Sequence, residues 1–124
     1  MTIAPFKVEV GSLEGDIGTF AISGELDQAT AGDLKGPIQD AIDSGVRAVM
    51  VDMTDCGFID STGLGVLVEA WKQLQQQNGV GAAFAICCPE PEVRRLLEVT
   101  GLDQEIPIRD KREEAISVLR ALAA

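Results

Sequence analysis

Two short runs, Ala48-Val49-Met50-Val51 and Ala82 to Cys87, carry no charged, hydroxyl or amide side chain. Each is followed by a stretch whose apolar residues recur at helical spacing. A continuous apolar run of this length fits a strand buried on both faces. The helices between such strands are the crossovers that parallel pairing requires. This alternation constrains the chain more than any other feature, because few architectures bury strands on both sides.

Ahead of it, Lys7 to Leu13 and Ile17 to Ser23 alternate as half-buried strands, and Glu14-Gly15-Asp16 reads as their hairpin turn. Gly24-Glu25-Leu26-Asp27 reads as a polar loop with an apolar peg at Leu26. Thr30 is placed to cap a helix carrying Leu34, Ile38, Ala41 and Ile42, closed by Ser44-Gly45. Gly36-Pro37 inside it predicts a kink or a late start, since proline removes a donor and crowds the preceding turn. Asp52 to Gly57 reads as a loop. The next helix carries Leu64, Leu67, Val68, Trp71 and Leu74 and ends at Asn78-Gly79. Trp71 belongs at the core or its edge, and Gln73 to Gln77 on a solvated face.

Pro89-Glu90-Pro91 opens a short helix with Val93, Leu96 and Leu97, stopped by Gly101. Ile106 to Arg109 makes a short strand, and the last helix carries Ala115, Ile116, Leu119 and Leu122. Arg94-Arg95 and Lys111-Arg112 read as surface charges near helix ends. The order β-β-α-β-α-β-α-β-α predicts one α/β domain over residues 1–124, with its core at about 7–122. Its sheet is mixed and mostly parallel, with about five strands covered by about four helices.

Composition narrows the function. The net charge of −10 opposes general binding to nucleic acid or to an anionic membrane. It favours a basic patch on another protein. No apolar run is long enough to span a bilayer, and the first residues have no signal-peptide pattern, so the expected location is the cytoplasm. Cys56, Cys87 and Cys88 form neither a disulfide framework nor a zinc motif and read as small core residues. Histidine is absent, which removes every histidine-based triad and histidine-held metal. No cofactor motif is present. The expectation is a binding protein rather than an enzyme, a monomer or weak dimer.

Phe58-Ile59-Asp60-Ser61-Thr62-Gly63-Leu64-Gly65 is the one segment that departs from ordinary helix design. Asp60 and Ser61 suit a helix N-cap. Glycine at 63 and 65 weakens the first turns by roughly 1 kcal/mol each relative to alanine. A bare helix start with a hydroxyl suits phosphate, bound or covalent. The spacing fits neither the P-loop nor the dinucleotide fingerprint. What remains is a phosphoacceptor or a docking surface. A phosphate on Ser61 would add nearly two negative charges. A partner packed on Phe58, Ile59 or Leu64 would then have to bury that charge.

These residues also carry a resemblance. Gly24-Glu25-Leu26-Asp27 with Thr30-Ala31, and Val51-Asp52 with the Phe58–Gly65 segment, are similar to the anti-anti-sigma factors of the STAS-domain superfamily. The resemblance runs from near Lys7 to the last helix. It implies that the unphosphorylated protein binds an anti-sigma factor that is a serine kinase, freeing a sigma factor. Phosphorylation at Ser61, with Thr62 the lesser candidate, then ends binding, and a metal-dependent serine phosphatase reverses it. It also implies a partner surface formed by Glu25, Asp27, Phe58, Ile59, Asp60, Thr62, Gly63 and Leu64. The Gly36-Pro37 helix departs from the family pattern beside Asp27.

Two other classes compete. A phospho-aspartate receiver would use Asp52, but Gly24-Glu25 is not the acidic pair that holds Mg²⁺, and no Lys ends the Ile106–Arg109 strand. A STAS subunit of a stress-signalling scaffold or lipid-transport complex would hold a partner regardless of charge at residue 61.

Overall fold

The computed structural model describes residues 5–79 and 82–123. Strands β1 (Lys7–Leu13) and β2 (Ile17–Leu26) form an antiparallel hairpin, and β2 continues in parallel through β3 (Ala48–Ile59), β4 (Ala83–Cys87) and β5 (Ile108–Arg109). The strands lie in sequence order across a five-stranded sheet. Helices α1 (Ala31–Asp43), α2 (Ser61–Asn78) and α3 (Pro91–Val99) are the crossovers, and α4 (Arg112–Ala123) follows β5.

The two sheet faces are covered unequally. One buries Phe20, Ile22, Val49, Val51, Phe84 and Ile86 beneath α1, α2 and α3, whose Leu34, Ile38, Leu67, Leu74, Val93 and Leu97 point inward. The other carries Ile17, Met50 and Cys87 with the small Ala48, Ala83 and Ala85, and takes only α4, through Ala115 and Leu119. Small residues let a single helix settle close to the sheet and close its second face. Trp71 packs at the edge of the larger cluster.

Several expectations change. Asp52 to Gly57 is not a loop: β3 runs unbroken from Ala48 to Ile59. Its pairing with β2 slips twice, Ala21↔Asp52 being followed by Ser23↔Asp55 and Gly24↔Cys56 by Glu25↔Phe58. Each slip leaves an extra residue on β3, a bulge. The buried residues Met53, Cys56 and Ile59 therefore recur every third position, which hides the strand from a search for alternation. Gly24 to Leu26 likewise belongs to β2, with Leu26 fully buried at its end.

Helix α1 does not start late. It runs through Pro37, whose missing N–H leaves the Asp33 carbonyl without its intrahelical donor. β5 is shorter than expected. Ile106 is buried, but its amide turns back to the Leu102 carbonyl at 2.9 Å instead of joining the sheet.

Polar residues, among them Gln77, Arg94 and Arg112 expected only at the surface, hold elements together. Gln77 Nε2 donates to the Ile42 carbonyl at 2.7 Å, and Asn78 Nδ2 donates to that of Val46 at 3.2 Å, tying the end of α2 to the end of α1. Arg94 pairs with Asp110 and Glu98. Arg112 Nη1 donates to Asp52 Oδ2 at 3.0 Å, which fastens the start of α4 to β3.

Asp52 also accepts from the hydroxyl and amide of Thr54. Burial alone would raise its pKa, but the Thr54 contacts and the Arg112 guanidinium outweigh burial and hold it below the ordinary 3.8. A depressed folded pKa stabilises the protein above the unfolded value, and that contribution disappears as pH falls through the folded one. Asp52→Asn is therefore expected to lower the urea midpoint at about pH 6. Its deficit should shrink as the pH falls from the unfolded value down through the depressed folded one, where the wild-type carboxyl is neutralised as well. A deficit independent of pH would show that the charge of Asp52 does not contribute.

All three cysteines are buried and unpaired. Burial pushes their thiols up, Cys88 to about 11. A thiol so far above neutrality is a poor nucleophile, in keeping with a packing role.

Candidate functional site

The ends of β2 and β3 lie side by side, pairing Glu25 with Phe58 and Leu26 with Ile59. Two loops leave from this point, one to α1 and one to α2, and a single carboxylate joins them. Asp60 has an extended backbone, and its Oδ1 accepts the Gly63 amide at 2.9 Å as the α2 N-cap. Its Oδ2 accepts the Gln28 amide, on the other loop, at 3.0 Å. Asp60→Ala is expected to cost about 1–2 kcal/mol, most of it recovered by Asp60→Asn, which keeps an acceptor for the helix amide. Urea titration of the two variants checks this, and equal losses would assign the effect to charge rather than capping.

Asp27 organises the first loop. Its Oδ1 accepts the amides of Ala29 at 2.9 Å and Thr30 at 3.1 Å, and its carbonyl accepts that of Ala31 at 2.8 Å. Thr30 stands at the start of α1 as expected, but its hydroxyl does not cap that helix. It donates to the Glu25 carbonyl at 2.7 Å and accepts the Asp27 amide at 2.9 Å. The polar segment before α1 is thus a tied turn facing the α2 N-terminus.

The two glycines of α2 differ. Gly63 is buried, and a Cβ there would lie 2.7 Å from both Leu26 Cγ and the Leu26 carbonyl oxygen. Its smallness lets α2 sit directly on the end of β2. Gly65 is exposed, with open space where its Cβ would be. Only Gly65 leaves the surface bare.

Ser61 and Thr62 are exposed on the first turn, beside the half-buried Asp60. Helix amides at this position have no intrahelical acceptor, and the helix dipole is positive here. Phe58 is 48% exposed, unusual for an aromatic side chain. It lines a groove of about 240 Å³ with Gly57, Ile59, Glu92, Val93 and Leu96. Of the residues expected to meet a partner, Glu25, Phe58 and Thr62 are exposed, and Asp27, Asp60 and Leu64 are partly so. Ile59 and Gly63 are buried and reach the surface only through the residues they position. The α3 wall of the groove, Glu92 and Leu96, was not foreseen. Its helix was legible in the sequence, but nothing there set it beside Phe58.

The sheet and helices carry a hydroxyl on a rigid helix start, flanked by an exposed aromatic groove and a carboxylate-tied loop. The STAS domain pattern matches residues 12–115, from the hairpin to α4, and the chain belongs to the STAS domain family. The anti-sigma F factor antagonist of Paenibacillus polymyxa is 31% identical over 103 residues, covering 82% of this chain and 86% of that protein. The anti-sigma-B factor antagonist of Listeria monocytogenes is 31% identical over 109 residues, covering 87% and 92%. The crystal structure of an anti-sigma factor antagonist from Mycobacterium paratuberculosis superposes with a TM-score of 0.84 at 26% identity, over 96% of this chain and 99% of that one.

Proposed function

We propose that this chain is an anti-sigma factor antagonist acting in the cytoplasm. Unphosphorylated, it docks on an anti-sigma serine kinase and frees a sigma factor. Phosphorylation of Ser61 by that kinase ends the contact, and a metal-dependent serine phosphatase restores it. The observation that carries this reading is the exposed Ser61 hydroxyl on the first turn of α2, in a setting fixed by Asp60 and Gly63. The names of the relatives support the antagonist role.

The switch works at the surface. Ser61 is exposed and its hydroxyl has no hydrogen-bond partner among the described residues, so a phosphate there leaves the sheet and helices in place. The dipole of α2 favours the added charge, while the Asp60 carboxylate next to it opposes it. A partner that covers Phe58 and Leu64 must then take a dianion out of water, which is costly without matching cations. The chain supplies an acceptor and a docking face, and the kinase supplies ATP and catalysis.

Wild type, Ser61→Ala and Ser61→Asp, used as baits in the native cytoplasm, test this. The expected result is an ATP-dependent kinase retained by wild type and Ser61→Ala and released by Ser61→Asp, with in-vitro phosphate incorporation mapped to Ser61. Equal retention of one partner set by all three, with no phosphate at Ser61, would favour a scaffold or transport subunit.

A further inference from the structure

The sheet has two edges, and they differ. β5 is only two residues long, whereas β1 presents seven residues with no neighbour on its outer side among the described residues. A long open edge is a template for another strand. Its side chains are as open as its backbone. Val10 is 60% exposed although it stands opposite the fully buried Phe20 and so lies on the face covered by α1. Helix α1 stops short of it and leaves a groove of about 470 Å³ between Val10, Ser12 and Gly18 of the hairpin and Pro37, Ala41 and Val46.

We propose that the start of the β1 edge is a self-association site, residues 6–10 pairing antiparallel about Val8 with the same residues of a second copy of this chain. A two-fold axis normal to the sheet keeps each face on its own side, so residues that meet must be both even or both odd in number. Of the registers this allows, centring on Val8 matches charge. Lys7 then faces Glu9 of the other copy, and Glu9 faces its Lys7, on the face away from α1. On the α1 face, the partly buried Phe6 falls beside the exposed Val10 of the other copy and covers it. Centring on Glu9 would oppose two carboxylates, and centring on Val10 would leave both charges unmatched. Opposite charges directly across a strand pair are favourable and like charges are not.

The two sheets would join into one. Lys7 pairs with Ser23, near the end of β2 that carries the Ser61 turn. Antiparallel joining sends the two Ser61 turns to opposite ends of the combined sheet, so neither is covered. This association does not depend on phosphorylation or on the identity of the partner at Ser61.

Sedimentation equilibrium of the full chain tests it, at about 0.15 M salt so that the net charge of each copy is screened beyond roughly 8 Å. The 13.1 kDa chain is expected to approach twice that mass as concentration rises. Lys7→Glu and Glu9→Lys each place like charges across the seam and are expected to raise the dissociation constant roughly tenfold or more. The double variant Lys7→Glu/Glu9→Lys restores the match and is expected to associate as wild type does. Both positions are exposed, so circular dichroism should show the fold unchanged. A wild type that stays monomeric, single variants that associate equally well, or a double variant that is not rescued would each overturn the proposal.

Discussion

Gly63→Ala is expected to destabilise the protein by about 1–3 kcal/mol, the usual cost of overpacking a close contact. Gly65→Ala, two residues along the same helix, is expected to stabilise it by up to about 1 kcal/mol. By helix propensity alone both changes would help. The difference lies in what each new methyl group meets. At Gly63 it runs into the Leu26 carbonyl and side chain at 2.7 Å and Ile59 Cγ1 at 3.1 Å. Leu26 and Ile59 are neighbours on paired strands, so α2 itself must move away from the sheet. At Gly65 there is nothing within 4 Å. Urea unfolding of the two variants decides the matter. Two stabilised proteins would mean that α2 does not rest on the end of β2. If the bare surface at Gly65 is used for docking, Gly65→Ala should bind the partner more weakly while being the more stable protein.

Leu26→Ala is expected to cost about 2–5 kcal/mol, since the side chain is fully buried beneath the loops that bear the site. The larger interest is its coupling to Gly63. Removing the Leu26 side chain removes one of the two contacts at 2.7 Å that obstruct a methyl group at 63 and leaves space to receive it. The double variant Leu26→Ala/Gly63→Ala should therefore be less damaged than the sum of the singles, by about 0.5–2 kcal/mol. Rescue should stay incomplete because the Leu26 carbonyl oxygen remains in place. A strictly additive double variant would mean that the backbone contact alone excludes the methyl group.

Much of this architecture is legible in the residues. The apolar runs Ala48–Val51 and Ala82–Cys87, the helical spacing from Leu64 to Leu74 and the stops at Gly45, Gly79 and Gly101 each follow from local chemistry. The Glu14-Gly15 turn does too, with both residues at positive φ. The far half of β3 is not legible. Its two bulges break the period of two, and a bulged strand has no local signature when its partner is unknown. Pro37 misleads for the opposite reason. Its local penalty is real, but Leu34, Ile38 and Ile42 are buried on the turns around it and hold the helix against the sheet. Nothing local marks Gln77 and Arg112 as tied, because their partners, Ile42 and Asp52, lie 35 and 60 residues away in the chain.

At the candidate site the division is sharp. The residues alone place a serine at 61 at a helix start, offer Asp60 as a cap and leave no histidine chemistry. These are properties of residue type and of spacing along a few neighbours. That Gly63 is a packing residue and Gly65 the bare one follows from the folded contacts. Only folding makes Asp60 hold the loop before α1 as well and sets α3 as a wall beside Phe58. Those facts depend on which surfaces the crossovers bring into contact. The two glycines are alike in sequence, and their difference arises from the end of β2, which meets one of them and not the other.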